Sequence, residues 1–558
     1  MKYRTSSPYF PKEDIEEILP KISDILKGKG LLSMGDNVKE FESSFSSFLG
    51  SQEAIATNSC SSALEISLNA LGVGSGDEVI LPAQTHVATA HSIEYSGATP
   101  VFVNVNPLTG NIDLDLVEEA IARIEKVDER INALPIRCFE RARHQAKKTK
   151  LSFSSQQNYL YGLPIAVKDY NDVGGVRTTY GSPIYADNVP EKSDATVCHL
   201  ENNGAIPIAK SNVPEWAGGH TFNPLFGITR NPWNLKLSAG GSSGGSAAAL
   251  ASGMVWLATG NDLGGSLRTP AAFNGVVGMR PGPGVVARGK RLQAFDSLWV
   301  EGPMGRCVED VALMLDAQSG YNKEDPFSFS GSVKTYSEAT KDPGKAKKVA
   351  FSRDLGVVRV SNQIAEITEK SVLKLKDIRI EVTDEVPDFS NVLEAFQTLR
   401  AVLLGTMMGP LLEEHRDRIS PEIVGNIEKG FAITPKALFE AERIRWKLYH
   451  EMMRFFETHD YLICPAASIP PFPVEKRYVE EIDGFPCKTY IDWFAITFAV
   501  TMTSCPVISL PCGLTEERLP VGIQVIGRPR LERELIRDTL RMENLFGMRD
   551  LLPIDPVP

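Results

Sequence analysis

Residues 238–250 read "SAGGSSGGSAAAL", a run filled by Ser, Gly, Ala and a single Leu. Three physical readings compete for such a stretch. A flexible linker has this composition. So does a contact packed too closely for larger side chains, and so does a loop whose backbone passes beside a reacting group. A linker should have polar flanks, but this run passes directly into "SAAALASGMVWLATG", a small-residue helix followed by an apolar strand. That strand leads into "NDLGGSLRTPAAFNGVVGMRP", which puts a second Gly-Gly-Ser at a strand end and a helix start at Ser266. Backbone N–H groups there, cleared of side chains by Gly264 and Gly265, would form an anion or oxyanion pocket. Neither run fits the phosphate-loop pattern GxxxxGK[ST].

Composition narrows the function class. The chain has 558 residues, is 42% hydrophobic and 23% charged, and carries a net charge of −11. That length allows several domains. The acidic balance and the lack of any Lys/Arg run exclude a general nucleic-acid binder. The eight cysteines are scattered, with no CxxC pair and no His at ligand spacing. No metal site and no disulfide framework is expected, and reduced thiols point to the cytoplasm. The N-terminus has no apolar core of a signal peptide, and no apolar stretch reaches about 18 uninterrupted residues, so no membrane partner is expected.

The order of elements reads as α/β. "FPKEDIEEILPKISDILKGKG" is helical by its Ile/Leu spacing, and the segment from Ser59 to Val105 alternates helix, strand, helix, strand. "DLVEEAIARIEKVDERINALPIRCFERARHQAKK" predicts two amphipathic helices, and helix and strand then alternate to about residue 315. Residues 319–348 are polar, with Pro and Gly, and read as a long surface loop. Residues 390–457 are mostly helical; "YLICPAAS", "PVISLPCG" and a last helix, "LERELIRDTLRMENLF", follow.

A serine nucleophile needs a base. His199 and His220 lie in ordinary loop or helix contexts. Lys168 differs, because it closes the apolar run "LPIAV", where desolvation would lower its pKa and let it act as a neutral base. A strand-end lysine reaching solvent is the competing reading.

Lys168, Ser242 in "GGSSGG" and Ser266 in "NDLGGSLR" together resemble the amidase signature family, hydrolases with a Ser-cisSer-Lys triad. The resemblance runs from about residue 115 to 558 and includes "GLPIAVKDYNDVGG", "DATVCHLENNGAIPIAKSNVPEW", "VEGPMGRCVEDVALMLDA" and "CPVISLPCGLTEERLPVGIQVIGRP". It implies a central mixed β-sheet flanked by helices. It also implies that Ser266 attacks an amide carbonyl to give an acyl-enzyme, while Ser242, after a cis peptide bond, shuttles the proton between Ser266 and Lys168. The oxyanion would rest on the backbone N–H groups of Leu263, Gly264, Gly265 and Ser266. Ser243, Asp262 and Arg268 would be supporting groups. Asn261 replaces the family's usual Thr or Ser, a change expected to leave the chemistry intact.

Residues 1 to about 120 resemble something else, the opening of the DegT-type PLP-dependent sugar aminotransferases, a fold type I family. "GDNVKEFESSFSSFLG", "AIATNSCSSALEISLNALGVGSGDEVILPAQTHVATA" and "GATPVFVNVNPLTGNIDLDLVEEAI" carry the likeness. It implies that Ser61 and Ser62 hold the cofactor phosphate and that an aromatic residue near His86 stacks on the ring; a helix cap and a strand end are the plainer readings. The Schiff-base lysine would lie beyond the fragment, and Lys126, Lys147, Lys148 and Lys150 fall in polar helical sequence. Aminotransferase activity is therefore not expected. The fragment would leave sheet edges uncovered. Packing on the amidase, pairing with another chain (a homodimer, for instance) and a fusion without a role all stay open.

The expectation is thus a truncated aminotransferase-like segment, 1–120, ahead of an amidase domain, 121–558. The activity expected is hydrolysis of a small-molecule amide without cofactor or metal. The glutaminase component of a tRNA-dependent amidotransferase is the alternative within the same chemistry. A PLP aminotransferase and an inactive scaffold are the alternatives outside it.

Overall fold

A computed structural model describes residues 10–31, 33–82, 85–103, 116–148, 160, 162–217, 219–289, 292–330 and 335–558. The chain divides into two compact units, Met1–Leu114 and Asp115–Pro558.

In the first unit, helices α1 (Lys12–Leu26), α2 (Asp36–Leu49), α3 (Cys60–Ala70) and α4 (Val87–Ser96) accompany strands β1 (Glu78–Pro82) and β2 (Thr99–Val103). The two strands pair in parallel, as the alternation of helix and strand predicts. The apolar centre is small: Leu81, Ile93 and Ala98 are its buried hydrophobic residues. No residue of α1, α2 or α3 is buried.

The second unit is built on a mixed sheet of eleven described strands. In chain order these are β3 (Ile136–Arg137), β4 (Pro164–Lys168), β5 (Ile206–Ser211), β6 (Leu257–Asp262), β7 (Val277–Arg280), β8 (Val300–Gly305), β9 (Lys348–Phe351), β10 (Glu381–Thr383), β11 (Tyr461–Pro465), β12 (Val507–Leu514) and β13 (Pro520–Ile526). Across the sheet the order is β10-β9-β11-β13-β12-β7-β8-β6-β4-β5-β3. β4 runs parallel to both β5 and β6, while β6–β8, β7–β12 and β12–β13 are antiparallel. Every residue of β4, β6, β11 and β13 is buried, because helices cover both faces, and β4 and β11 accordingly read as nearly continuous apolar runs. On one face Ala166 packs with α5 (Leu116–Ile131) and α6 (Gly244–Ala251). On the other, Ile165 and Val167 pack with Val197, Leu200 and α8 (Val308–Gln318), the next labelled helix after α7 (Arg268–Asn274).

Helix α5 lies whole in the second unit, so the division precedes it. Its Val117, Ala120, Ile121 and Ile124 belong to the buried cluster under β4 and β5. The region 390–457 forms α9 (Val392–His415), α10 (Pro421–Ala432) and α11 (Pro435–Phe455), followed later by α12 (Ala495–Thr501) and α13 (Glu532–Phe546). α9 with its following turn is long and apolar enough to cross a membrane, and 61% of its most apolar window is buried within the fold. Glu394 and Arg400 interrupt its apolar residues, so it holds no long unbroken apolar run. Part of the expected loop 319–348 is ordered by a one-turn helix, Tyr336–Ala339, closed by a Thr335/Glu338 capping box. Residues 331–334 of that loop, and Lys150, lie outside the described residues.

Candidate active site

The parallel pairing of β4 with β6 brings their carboxyl ends to one edge of the sheet, where ligands of open α/β sheets bind. Lys168 ends β4, while Asn261 and Asp262 end β6. The Ser/Gly run crosses this edge and enters α6, all of whose residues are buried. A side chain at Gly241 would collide with the Gly219 carbonyl, so the run is a close contact beside the site and not a linker. The peptide bond between Gly241 and Ser242 is cis.

Lys168 is fully buried. Its Nζ donates to Ser242 Oγ at 2.7 Å, Ser243 Oγ at 2.8 Å and Asn261 Oδ1 at 2.6 Å. Its backbone N–H donates to Thr259 Oγ1 at 2.8 Å, and the Tyr170 ring lies 5.3 Å from Nζ. Burial pushes the lysine from 10.5 down to about 7, against the opposing pull of the Glu301 and Asp262 carboxylates. As an ammonium, Nζ has three N–H groups for three oxygens. As a neutral amine it has two, and a serine hydroxyl must then donate to its lone pair. The Asn261 carbonyl can only accept, so it holds one N–H in either state. Asn261 therefore touches the lysine directly; its substitution for Thr or Ser is not remote from the chemistry.

Asp262 fastens the second Gly-Gly-Ser. Its carboxylate accepts from Gly265 N–H at 3.0 Å and Leu267 N–H at 3.1 Å. It also accepts from Arg268 Nε and Nη2, at 3.0 and 2.8 Å, and from Arg280 Nη1 at 3.2 Å. Burial opposes its ionisation, yet the two guanidiniums hold its carboxyl well below the usual range. Arg268 is buried with every donor used: besides Asp262, it reaches Thr497 O, Gln524 Oε1 and Thr501 Oγ1 at 2.7, 2.6 and 2.9 Å. The Gly265 backbone has φ +121°, and a side chain there would strike Thr497.

This network fixes where Ser266 sits. The helix expected at Ser266 begins at Arg268, and Ser266 occupies the turn before it. Its half-buried side chain lines a cleft together with Gly241, Asn261 and Leu263–Gly265. Among the described residues its hydroxyl makes no hydrogen bond, to Ser242 or to any other group. Of the four expected oxyanion donors, Gly265 N–H is already given to Asp262, while Leu263, Gly264 and Ser266 have no backbone acceptor outside the sheet among the described residues. Neither histidine takes part. His220 is buried against Phe222 and Phe472, where burial pushes it down to about 4, and His199 Nδ1 lies 3.1 Å from Gln318 O.

Sequence reasoning misses the walls of the cleft. Trp216, Trp299 and the adjacent pair Trp493 and Phe494 come from three separate segments, the first and last of them single 3-10 turns, and Phe396, Arg400 and Leu404 line it from α9. Their only signal in the sequence is the spacing of four along α9, which also suits a core helix. Arg280 could have been found, because a charge inside the apolar strand "VVGMR" demands a buried partner.

In the first unit the residues do not fit pyridoxal phosphate. Ser59, not Ser61 or Ser62, caps α3, accepting from Ser62 N–H at 3.2 Å, and His86 Nδ1 caps α4, accepting from Ala88 N–H at 3.2 Å. The described lysines of this unit, Lys12, Lys21, Lys27, Lys29 and Lys39, are all exposed. All but Lys27 pair with acidic neighbours on or beside α1 and α2. None lies in an apolar site that would keep it neutral for an imine.

Residues 12–127 match the DegT/DnrJ/EryC1/StrS aminotransferase family, and residues 115–536 match the Amidase family. The two matches overlap within α5. The chain is 30% identical over 480 residues to an acylamidase of Rhodococcus erythropolis, covering 84% of this chain and 99% of that protein. It is 32% identical over 458 residues to a glutamyl-tRNA(Gln) amidotransferase subunit of Moorella thermoacetica, covering 76% of this chain and 92% of that one. The crystal structure of a bacterial aryl acylamidase of the amidase signature family superposes with a TM-score of 0.73 at 25% identity, covering 79% of this chain and 95% of that one. With a mixed sheet, a buried lysine on two serines and a Gly-Gly-Ser turn at its edge, this chain belongs to the amidase family, over a second unit that carries the whole match.

Proposed function

We propose that the second unit hydrolyses the C–N bond of a small carboxylic amide through an acyl-Ser266 intermediate. The observation that carries this reading is the lysine: fully buried, held on Ser242, Ser243 and Asn261, and lowered to about 7. Near neutral pH a large share of it is the free amine that a general base requires. Asn261 holds one N–H, and Ser243 takes the other when the lone pair faces Ser242. The proton then flows from Ser266 through Ser242 to Lys168 as Ser266 Oγ attacks the carbonyl carbon. The C=O electrons move to oxygen, where Leu263, Gly264 and Ser266 N–H groups receive the charge. Collapse breaks the C–N bond, and the proton returns by the same path to the leaving amine. Water then attacks the acyl-serine, giving the acid and free Ser266. The relay needs Ser266 Oγ to reach Ser242 Oγ; Gly241, the neighbour of Ser242, lines the same cleft as Ser266. The likeness to the Rhodococcus acylamidase and to the aryl acylamidase supports an amide substrate.

A fluorophosphonate probe tests this. Wild type should be labelled and should turn over simple amides; Ser266→Ala should do neither, and Lys168→Ala should lose at least about a hundredfold in rate. Unlabelled wild type, or equal labelling of Ser266→Ala, overturns the reading. The likeness to the Moorella amidotransferase component favours a second reading, a glutaminase that works within an assembly. That reading predicts little turnover of small amides by the purified chain and stimulation only with partner proteins.

A further inference from the structure

We infer that the substrate carries a carboxylate besides its scissile amide, and that Arg400 binds it. This rests on the amide-hydrolase reading and names its substrate class. Arg400 is the one formally charged side chain among the described residues lining the cleft that holds Ser266. Two neutral groups fix it: its Nη1 donates to Asn426 Oδ1 at 2.9 Å and its Nη2 to Tyr490 Oη at 2.7 Å. Asn426 Nδ2 also donates to Tyr490 Oη, at 2.7 Å, which braces the pair. Among the described residues no carboxylate lies within 4.0 Å of Arg400. A guanidinium has five N–H donors in a rigid plane, so three remain for a ligand in the geometry that matches a carboxylate.

The cleft walls point the same way. Five of the lining residues carry a buried polar atom with no hydrogen-bond partner among the described residues: Trp216 Nε1, Asn261 Nδ2, Thr269 Oγ1, Trp299 Nε1 and Trp493 Nε1. Four of these are donors only, and the fifth is a hydroxyl. No carbonyl or carboxylate side chain of the lining is left unpartnered in this way. Buried donors without acceptors are costly, and a wall that holds donors but no unpartnered side-chain carbonyl or carboxylate favours an anionic ligand over a cationic one. An ammonium-bearing substrate would meet a like charge and, among the described lining residues, no carboxylate. An uncharged hydrocarbon amide would leave the Arg400 guanidinium without a counter-charge. A carboxylate-bearing aryl amide supplies that counter-charge while its ring packs against Phe396 and Trp493.

The test uses the full chain and two matched substrate pairs. One pair puts the charge on the amine side: para-acetamidobenzoate against para-methylacetanilide. The other puts it on the acyl side: terephthalamate against para-toluamide. Wild type should favour the carboxylate in at least one pair by about tenfold or more in kcat/KM, chiefly through KM. Arg400→Gln should cut that preference ratio at least about tenfold, and Arg400→Lys should restore part of it. Free benzoate should inhibit the wild type competitively, more strongly than benzyl alcohol. Equal kcat/KM within both pairs in wild type overturns the inference while leaving the hydrolase intact; so does a ratio unmoved by Arg400→Gln in a folded variant. Failure of all four amides together with no fluorophosphonate labelling instead overturns the amide-hydrolase reading.

Discussion

Asn261→Asp tests the proposed proton relay in isolation. The substitution keeps size and shape but puts an ionisable oxygen where Asn261 Oδ1 now sits, 2.6 Å from Lys168 Nζ. Two unit charges about 3 Å apart at an effective dielectric of about 20 attract by roughly 5 kcal/mol, or about four pKa units. Desolvation of the new carboxylate and repulsion from ionised Asp262 oppose this, leaving an expected rise of about two units. The acidic limb of kcat/KM, set by Lys168 at about 7, should therefore move to about 9. At about pH 7.5 the free-amine fraction falls from about three-quarters to about 3%, a loss of roughly 25-fold, most of which returns by about pH 10. The assay is a pH series of initial rates on one amide for both proteins, with far-UV circular dichroism at each pH. Recovery in alkali distinguishes a retuned base from a damaged fold. An acidic limb that stays near 7 in the variant would refute the assignment of Lys168 as the base.

Burial of the same lysine also makes stability depend on pH. The unfolded chain keeps its proton up to 10.5 and the folded chain only to about 7, so unfolding takes up a proton between these values and stability rises with pH across that window. Lys168→Met should remove about 1.4 kcal/mol per pH unit of that slope, read from urea midpoints at several pH values; identical slopes would count against it. Gly265→Ala, at φ +121° and against Thr497, should lower kcat/KM at least about a hundredfold by displacing the Ser266 turn, and a fully active variant would contradict this. Arg268→Met leaves Asp262 with one guanidinium and strips donors from Thr497 O and Gln524, so it should cost about 3–5 kcal/mol in urea unfolding. An unchanged midpoint would show the network to be dispensable. Incubation with pyridoxal phosphate should produce no near-visible absorbance band, and a borohydride-stable adduct would overturn the fit described for the first unit.

The parts of the candidate site that were legible in the sequence break a local rule. Lys168 closes an apolar strand, and Ser242 and Ser266 sit in glycine runs where helix or strand formers would be stronger. The α/β order was equally plain, because strands covered on both faces write themselves as unbroken apolar runs. Ser266 preceding α7, rather than opening it, was not legible: the Asp262 carboxylate captures the Gly265 and Leu267 N–H groups and holds the turn open. The contact of Asn261 with the lysine depends on the register between β4 and β6, which spacing along one strand cannot reveal. The place of Arg400 depends on α9 folding back across the sheet edge from more than a hundred residues away. The junction of the two resemblances hides in α5, an acidic amphipathic helix that suits both patterns.

The Gly/Ala helix α6 and the carboxyl ends of β4 and β6 form a floor with almost no spare volume. The cleft walls, by contrast, are side chains from α9 and from loops that the floor does not build. On the proposed reading, reactivity and selectivity are therefore housed in separate parts of the chain. Mutational libraries confined to Phe396, Leu404 and Trp299 should then redirect which amides are accepted while the proposed machinery that breaks them stays untouched. The same libraries aimed at residues 239–251 would yield mostly dead protein.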